Sequence, residues 1–299
     1  MSVSVRKRNL IRRTGRSGYW FVGPFMVLFA LTYAAPLVYA AVMSLFQTRL
    51  VGGTRFSGID NYVRAFSDPL FWEGVGRMTA FLFVQVPIML GIALFLALAI
   101  DSGRLGGSKT ARLLAFLPYA VPGVVAALMW GYIYGKDFGP IAQIAQSFGL
   151  EPPGFLSQSG IFGSLVNIVS WEFIGYNMII MYAALRAIPG EVFEAAAIDG
   201  AGQWRVAWSI KIPAIKAAIF ITVIFSFIGT FQLFNEPNLL AKIAPTAVGS
   251  AYTPNLYAYN LAFINGDTNY AATVAFVLGI VMIAVSYAVQ LSSRRKAER

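Results

Sequence analysis

The chain consists of long apolar runs separated by short polar segments. A helix needs about 20 mostly apolar residues to cross the hydrocarbon core of a bilayer, which is ~30 Å thick. Six runs meet that requirement, at residues 19–46, 77–100, 113–134, 163–185, 214–234 and 271–291. The pattern therefore predicts an all-α, polytopic membrane protein with about six transmembrane helices.

Prolines are expected to distort the first and third of these runs. The first run is long enough to tilt or bend, and Pro36 is the expected place, because proline removes a backbone donor and clashes with the preceding turn. Pro118 and Pro122 predict a similar distortion in the third run. A basic segment precedes the first run, as it does in a secretory signal peptide, but the apolar region of a signal is only about 7 to 15 residues long. We interpret the first run as a retained span.

The polar segment before the second run predicts an interfacial helix at residues 58–75. Its Phe71 and Trp72 are expected at the level of the lipid headgroups, where aromatic side chains are enriched. Arg77 then marks the outer end of the second span, and its long side chain is expected to extend toward the interface.

Composition supports a membrane location and excludes several kinds of chemistry. The 299 residues are 58% hydrophobic and only 12% charged, with a mean hydropathy of +0.66, whereas soluble domains have about 25% charged residues. The chain has no Cys and no His, which excludes disulfides, thiolate chemistry and imidazole ligands. It also has no paired-carboxylate motif and no phosphate-binding loop of the G-x-x-x-x-G-K-[ST] type. We expect no catalytic residues, no metal site and no cofactor bound by this chain.

The distribution of Lys and Arg predicts the orientation. If both termini are cytoplasmic, 17 of the 23 basic residues lie on the cytoplasmic side, as the positive-inside rule requires. We attribute the net charge of +10 to this asymmetry and not to nucleic-acid binding. The predicted organisation is a basic cytoplasmic segment, a six-helix transmembrane domain and a basic cytoplasmic tail, at residues 1–18, 19–291 and 292–299.

One polar stretch, EAAAIDGAGQWRVAWSIKIP at residues 194–213, interrupts the apolar pattern between the fourth and fifth spans. Glu194 suits the first turns of a helix, where the backbone dipole is positive. Gly200 and Gly202 are expected to form a turn with positive φ. An apolar stripe at intervals of four residues follows, formed by Trp204, Trp208 and Ile212. Pro213 then stands at the start of the fifth span. The stretch predicts a cytoplasmic helix–turn–helix elbow; the alternative is a solvated loop that merely joins two spans.

The same stretch resembles the signature of membrane subunits of ATP-binding-cassette importers: EAA, three residues, Gly, nine residues, Ile, any residue, a branched apolar residue and Pro. The matching residues are Glu194, Ala195, Ala196, Gly200, Ile210, Ile212 and Pro213, with Ile212 where Leu is more usual. Asp199, Gly200 and Ala201 resemble the carbohydrate-uptake branch. Residues 18–47, 56–72 and 113–130 resemble conserved blocks of sugar permeases of the maltose-transporter type, and are most similar to the first of the two permease subunits.

The resemblance implies which partners the chain has and which part of the transport each performs. The expected partners are a second homologous permease subunit, two ATPase subunits that use ATP and Mg, an extracytoplasmic solute-binding protein, a sugar and membrane lipid, with no nucleic acid. The chain would form half of a sugar pathway and would contact the ATPase through a coupling loop at about residues 186–213. The ATPase-coupling residues that it implies are Glu194, Ala195, Ala196, Asp199, Gly200, Ala201 and Pro213.

The resemblance places the sugar cavity among the later spans, where polar side chains are found. A polyol site needs hydroxyl, amide or carboxylate partners and aromatic faces in a cavity that water reaches. The candidate substrate contacts are Trp171, Glu172, Tyr176, Asn177, Thr230, Gln232 and Asn235. Of these, Glu172 and Tyr176 are four residues apart, which predicts one shared helical face.

Alternatives remain open for these residues and for the function. For Glu172 the alternative is a hydrogen bond or ion pair with the second permease subunit, and for the small hydroxyls it is helix packing. The alternative function is an ion-gradient-driven secondary transporter, although Glu172 is nearly alone as an intramembrane charge.

Overall fold

A computed structural model describes residues 14–49, 52–103 and 106–297. Residues 1–13 of the predicted N-terminal segment, and residues 298 and 299 of the predicted tail, lie outside the described residues. The helices, in chain order, are α1 (Thr14–Phe29), α2 (Ala35–Met43), α3 (Asp60–Phe66), α4 (Pro69–Asp101), α5 (Ser108–Phe116), α6 (Gly123–Ile133), α7 (Pro140–Ser147), α8 (Ile161–Arg186), α9 (Gly190–Ile198), α10 (Gln203–Val206), α11 (Ile212–Ala214), α12 (Lys216–Phe231), α13 (Asn235–Ile243), α14 (Pro254–Tyr259) and α15 (Thr268–Ala297).

The first span joins α1 and α2 through a π-helical segment at Ala30–Ala34. Pro36 stands in the first turn of α2, so the irregular backbone lies just before the proline, as the sequence predicts. The span ends at Met43, and Phe46 begins a β-strand instead of ending the span. Strands β1 (Phe46–Arg49) and β2 (Gly53–Phe56) form an antiparallel hairpin, which is an exception to the predicted all-α fold.

The second span begins eight residues earlier than the apolar run indicates. The Asp68 side chain caps α4 by accepting a hydrogen bond from the backbone N–H of Leu70 at 3.0 Å. The prediction that Phe71 anchors at the headgroup level is wrong, because its side chain is fully buried in the core. Arg77 does not simply extend toward the interface: it donates a hydrogen bond to the carbonyl of Tyr252 at 2.8 Å and lies over the Tyr252 ring.

The third run is much more distorted than two prolines predict. Helix α5 passes through a 3-10 turn at Leu117–Ala120 and is followed by α6 at an angle of 95°. Five helices of the described chain are long and apolar enough to cross a membrane, and a sixth span results if this bent pair counts as one. The predicted number of about six spans agrees with this count.

Helix α8 packs along α4 to form the centre of the molecule. One buried cluster on these helices includes Phe81 and Leu165, and a second includes Met89 and Met178. At Gly175, α8 approaches α5 so closely that an added Cβ would overlap the backbone carbonyl of Ala115. Glycine is therefore required there by the close approach of two backbones.

The fifth span is interrupted toward its C-terminal end. Helix α12 ends at Phe231, and α13 follows after a short break that contains Gln232. Helix α13 packs against α6 beyond the 95° bend, and α15 forms the final span. The break in the fifth span and the bend in the third therefore lie on helices that are in contact.

Candidate functional site

The first candidate site is the elbow between α8 and α12. Helix α9 ends in a Schellman motif: the N–H of Ala201 donates to the carbonyl of Ala196 at 2.9 Å, and the N–H of Gly200 donates to the carbonyl of Ala197 at 3.0 Å. Gly200 has φ of +70°, a conformation that glycine adopts without the steric cost that a Cβ imposes. The three residues that separate the EAA residues from Gly200 are thus the last two residues of α9 and its C-cap, Asp199.

The second half of the elbow follows at once but differs from the prediction in one residue. Gly202 has φ of −67°, so the expectation of a positive φ there is wrong, and only Gly200 makes the turn. Of the predicted apolar stripe, Trp204 and Trp208 are 78% and 66% exposed, whereas Ile212 is half-buried. The helical path continues through a π-helical segment at Ala207–Lys211 and reaches α12 after α11, which contains Pro213.

A groove of about 520 Å³ runs along the elbow. Four of the predicted coupling residues line it: Ala195, Ala196, Asp199 and Ala201. Glu194 is exposed beside the groove, Gly200 makes the turn at its end, and Pro213 lies apart in α11. The short alanine side chains leave the groove open, so that a helix or loop of another chain has room to enter.

The second candidate site is a cavity of about 280 Å³ between α4, α8, α12 and the break before α13. Five of the predicted substrate contacts line it: Tyr176, Asn177, Thr230, Gln232 and Asn235. Aromatic side chains supply further walls, including Phe173, Phe225 and Phe234. Amides, a hydroxyl and aromatic faces are the groups that a neutral polyhydroxylated ligand requires.

Two wall residues of the cavity, Gln85 and Met89 on α4, were not predicted. The Gln85 side chain is 2% exposed, and its amide donates to the Oγ of Ser170 at 3.4 Å. Gln85 is the one polar residue between positions 80 and 100, and that isolation is a signal that sequence inspection can use. The pairing of α4 with α8, which brings it to the cavity, is not visible in the sequence.

Trp171 and Glu172 do not line the cavity. Trp171 packs edge-on against Trp130, with ring centroids 5.7 Å apart. Glu172 is only 5% exposed, and its Oε1 has no hydrogen-bond partner within the described chain. Glu172 and Tyr176 are four residues apart on the continuous helix α8, and both face the bent third span. Tyr176 lines the cavity and stacks on Tyr119 at 4.7 Å, whereas Glu172 lies near Gly123.

A second buried carboxyl group lies near Glu172. A Cβ added to Gly123 would lie 2.9 Å from the Oε1 of Glu236 and 4.0 Å from the Oε1 of Glu172. Gly123 opens α6 directly after the 95° bend, so both carboxyl groups face the positive end of that helix. Glu236 is 7% exposed and also lines the cavity. Across the described residues, no group of three or more Asp, Glu, His or Cys side chains is arranged to hold a metal ion.

Known proteins are similar to this chain in sequence and in fold. The family described as "Binding-protein-dependent transport system inner membrane component" matches residues 16–298. The lactose transport system permease protein LacF of Rhizobium radiobacter is 34% identical over 284 residues, covering 94% of each chain. The arabinooligosaccharides transport system permease protein AraP of Bacillus subtilis is 28% identical, covering 97% of this chain and 93% of the relative.

A solved structure has the same fold. In the crystal structure of a bacterial alginate ABC transporter in complex with an alginate pentasaccharide-bound periplasmic protein, one chain superposes with a TM-score of 0.84, 19% identity and coverage of 96% of this chain and 98% of that chain. At this identity the likeness shows the fold alone. The family match spans nearly the whole chain, and its helices are those of a multi-pass membrane protein. The chain belongs to the family of inner membrane components of binding-protein-dependent transport systems.

Proposed function

We propose that the chain is the permease subunit of an ATP-driven, binding-protein-dependent sugar importer that takes up an oligosaccharide. The observation that supports this most directly is the elbow, whose EAA residues and Gly200 form a helix, a Schellman turn and an open groove. Relatives whose names specify lactose and arabinooligosaccharide transport support sugars as the substrate class.

Energy reaches the pathway through the elbow. The ATPase subunits, which use ATP and Mg, dock in the groove formed by Ala195, Ala196, Asp199 and Ala201, and Glu194 provides a charged contact at its edge. A second permease subunit completes the pathway, and an extracytoplasmic solute-binding protein delivers the sugar. Changing a two-state pathway from mostly closed to mostly open needs a bias of about 5 kcal/mol, which nucleotide binding on the partner subunits would supply.

Sugar passes through the cavity. Asn177, Gln232 and Asn235 offer amide groups, Thr230 a hydroxyl group and Tyr176 an aromatic face. Glu172 does not line the cavity. Its carboxyl group lies next to Gly123, close to that of Glu236. We propose that the two carboxyl groups position the bend in the third span next to the substrate.

The experiment uses the complex purified through a tag on this chain, with its partners identified by mass spectrometry and the whole reconstituted in liposomes. We expect uptake of labelled oligosaccharide to require ATP, Mg and the binding protein, and to persist when ionophores remove ion gradients. Uptake that follows a sodium or proton gradient without ATP would instead identify a secondary transporter.

Two glycine variants test the elbow within that system. A Cβ added to Gly200 or to Gly202 would meet no atom within 4 Å, so the two positions differ mainly in φ. Gly200→Val forces a branched side chain into positive φ, which costs at least about 1–2 kcal/mol, and is expected to reduce uptake severalfold. Gly202→Val is the matched control and should transport normally. Equal uptake by the two variants would show that the turn does not transmit coupling.

A further inference from the structure

A buried ion pair connects the elbow to α4. The Nζ of Lys211 lies 2.5 Å from the Oδ2 of Asp101, and the two side chains are only 15% and 7% exposed. The residues are 110 positions apart in the chain. Ion pairs on protein surfaces contribute little, but breaking a buried pair leaves an uncompensated charge. The ion pair therefore holds the C-terminal end of α4 next to the second half of the elbow.

The position of Lys211 makes it a junction between three elements. It is the last residue of the π-helical segment Ala207–Lys211, in the second half of the elbow. Its ammonium group also lies 5.4 Å from the ring centroid of Phe193 on α9, in the first half. The elbow is joined to α8 and α12 by the chain itself, whereas α4 is reached through the side-chain contact with Asp101.

Helix α4 extends from this contact to the opposite face of the molecule. It has 33 residues, which corresponds to about 50 Å at ~1.5 Å per residue. Midway along it, Gln85 and Met89 form part of the cavity wall. At its other end, the Oδ2 of Asp68 accepts hydrogen bonds from the hydroxyl groups of Tyr257 and Tyr270, each at 2.6 Å.

We propose that the Asp101–Lys211 pair is the contact by which the elbow moves α4, so that motion at the ATPase groove reaches the cavity wall. This inference rests on the proposed coupling role of the elbow. Lys211 and Asp101 are positioning residues: they touch neither the sugar nor the nucleotide. Helix α4 is then a second transmission element, in addition to the spans that continue directly from the elbow.

The test measures sugar transported per ATP hydrolysed in the reconstituted complex. Lys211→Met and Asp101→Asn are each expected to lower this ratio about tenfold, within the range usual for coupling between sites, while ATP hydrolysis continues. The exchanged pair, Asp101→Lys with Lys211→Asp, should recover part of the ratio. Lys216→Met is the matched control, because it removes the same charge five residues further along the chain, outside the elbow and at an exposed position. It should leave the ratio unchanged.

A second measurement keeps the ion pair intact. Spin labels on cysteines introduced at Phe95 of α4 and Ile198 of the elbow, both well exposed at 65% and 87%, report their separation in this naturally Cys-free chain. We expect the separation to stay constant between nucleotide-free and nucleotide-bound complexes, because the two elements move together.

The outcomes separate this inference from the proposed function. A changing label separation, or wild-type ratios in both neutral variants, would overturn the role of the ion pair. If Gly200→Val uncouples transport in the same assay while the neutral variants do not, the elbow still couples and only the role of α4 is wrong. If Gly200→Val has no effect either, the proposed function of the elbow fails.

Discussion

Gly175 provides the sharpest test of how the third span is held against α8. A methyl group at this position would overlap the carbonyl oxygen of Ala115 and would lie 2.7 Å from the Cα of Phe116. Both are backbone atoms, so no side chain can rotate away to make room. Gly163, in the same helix, has no atom within 4 Å of the equivalent point, and is therefore the matched control.

The two substitutions are expected to act in opposite directions. Replacing glycine by alanine within a helix stabilises it by about 0.5–1 kcal/mol, and Gly163→Ala should show that gain. Gly175→Ala has the same gain but must push α5 away from α8, and overpacking of this kind costs about 1–3 kcal/mol or more. We therefore expect Gly175→Ala to be less stable than Gly163→Ala by at least about 1 kcal/mol.

The measurement is the apparent melting temperature of the purified complex, combined with sugar uptake after reconstitution. Displacement of α5 should also disturb the stacking of Tyr119 on Tyr176, whose ring centroids are 4.7 Å apart, so uptake should fall together with stability. If Gly175→Ala melts at or above the temperature of Gly163→Ala, the close approach of the two helices is refuted.

Three other predictions concern orientation, the N-terminal cap of α4 and the buried carboxyl groups. A cysteine at exposed Gly202 should react with an impermeant thiol reagent only from the cytoplasmic side, and one at exposed Thr54 only from outside; reversed labelling would overturn the predicted orientation. Burial alone would raise the pKa of Asp68, but hydrogen bonds from two tyrosines and the backbone hold it below its usual 3.8. Because the folded-state pKa is the lower one, its stabilisation is complete above 3.8 and is lost as the pH falls below that value. Asp68→Asn should thus lower the melting temperature at neutral pH, with a loss of about 1.5–3 kcal/mol, and a wild-type melting temperature would contradict this. Glu172→Gln keeps the shape of the side chain, and we expect it to alter uptake or sugar preference in an assembled complex; a lower yield of complex with normal kinetics would identify a contact between subunits instead.

The sequence by itself determines the membrane architecture and the elbow. Apolar runs of about 20 residues have few alternatives to a spanning helix, because a bilayer provides no other partner for backbone polar groups. The turn at Gly200 is equally local: a helix of known length ends where a residue tolerates positive φ. Both features depend on neighbours in the chain, so hydrophobic periodicity and residue type were sufficient to predict them.

Only the tertiary structure decides which polar groups share a site. Glu172 and Glu236 meet at Gly123 because the third span bends by 95° and α13 packs against α6, and no local pattern specifies that bend. Phe71 is buried for a similar reason: α4 begins earlier and packs against other helices. The Asp101–Lys211 pair joins positions 110 residues apart. Such contacts depend on how helices pack in three dimensions, and a repeat of 3.6 residues along one helix contains no information about its neighbours.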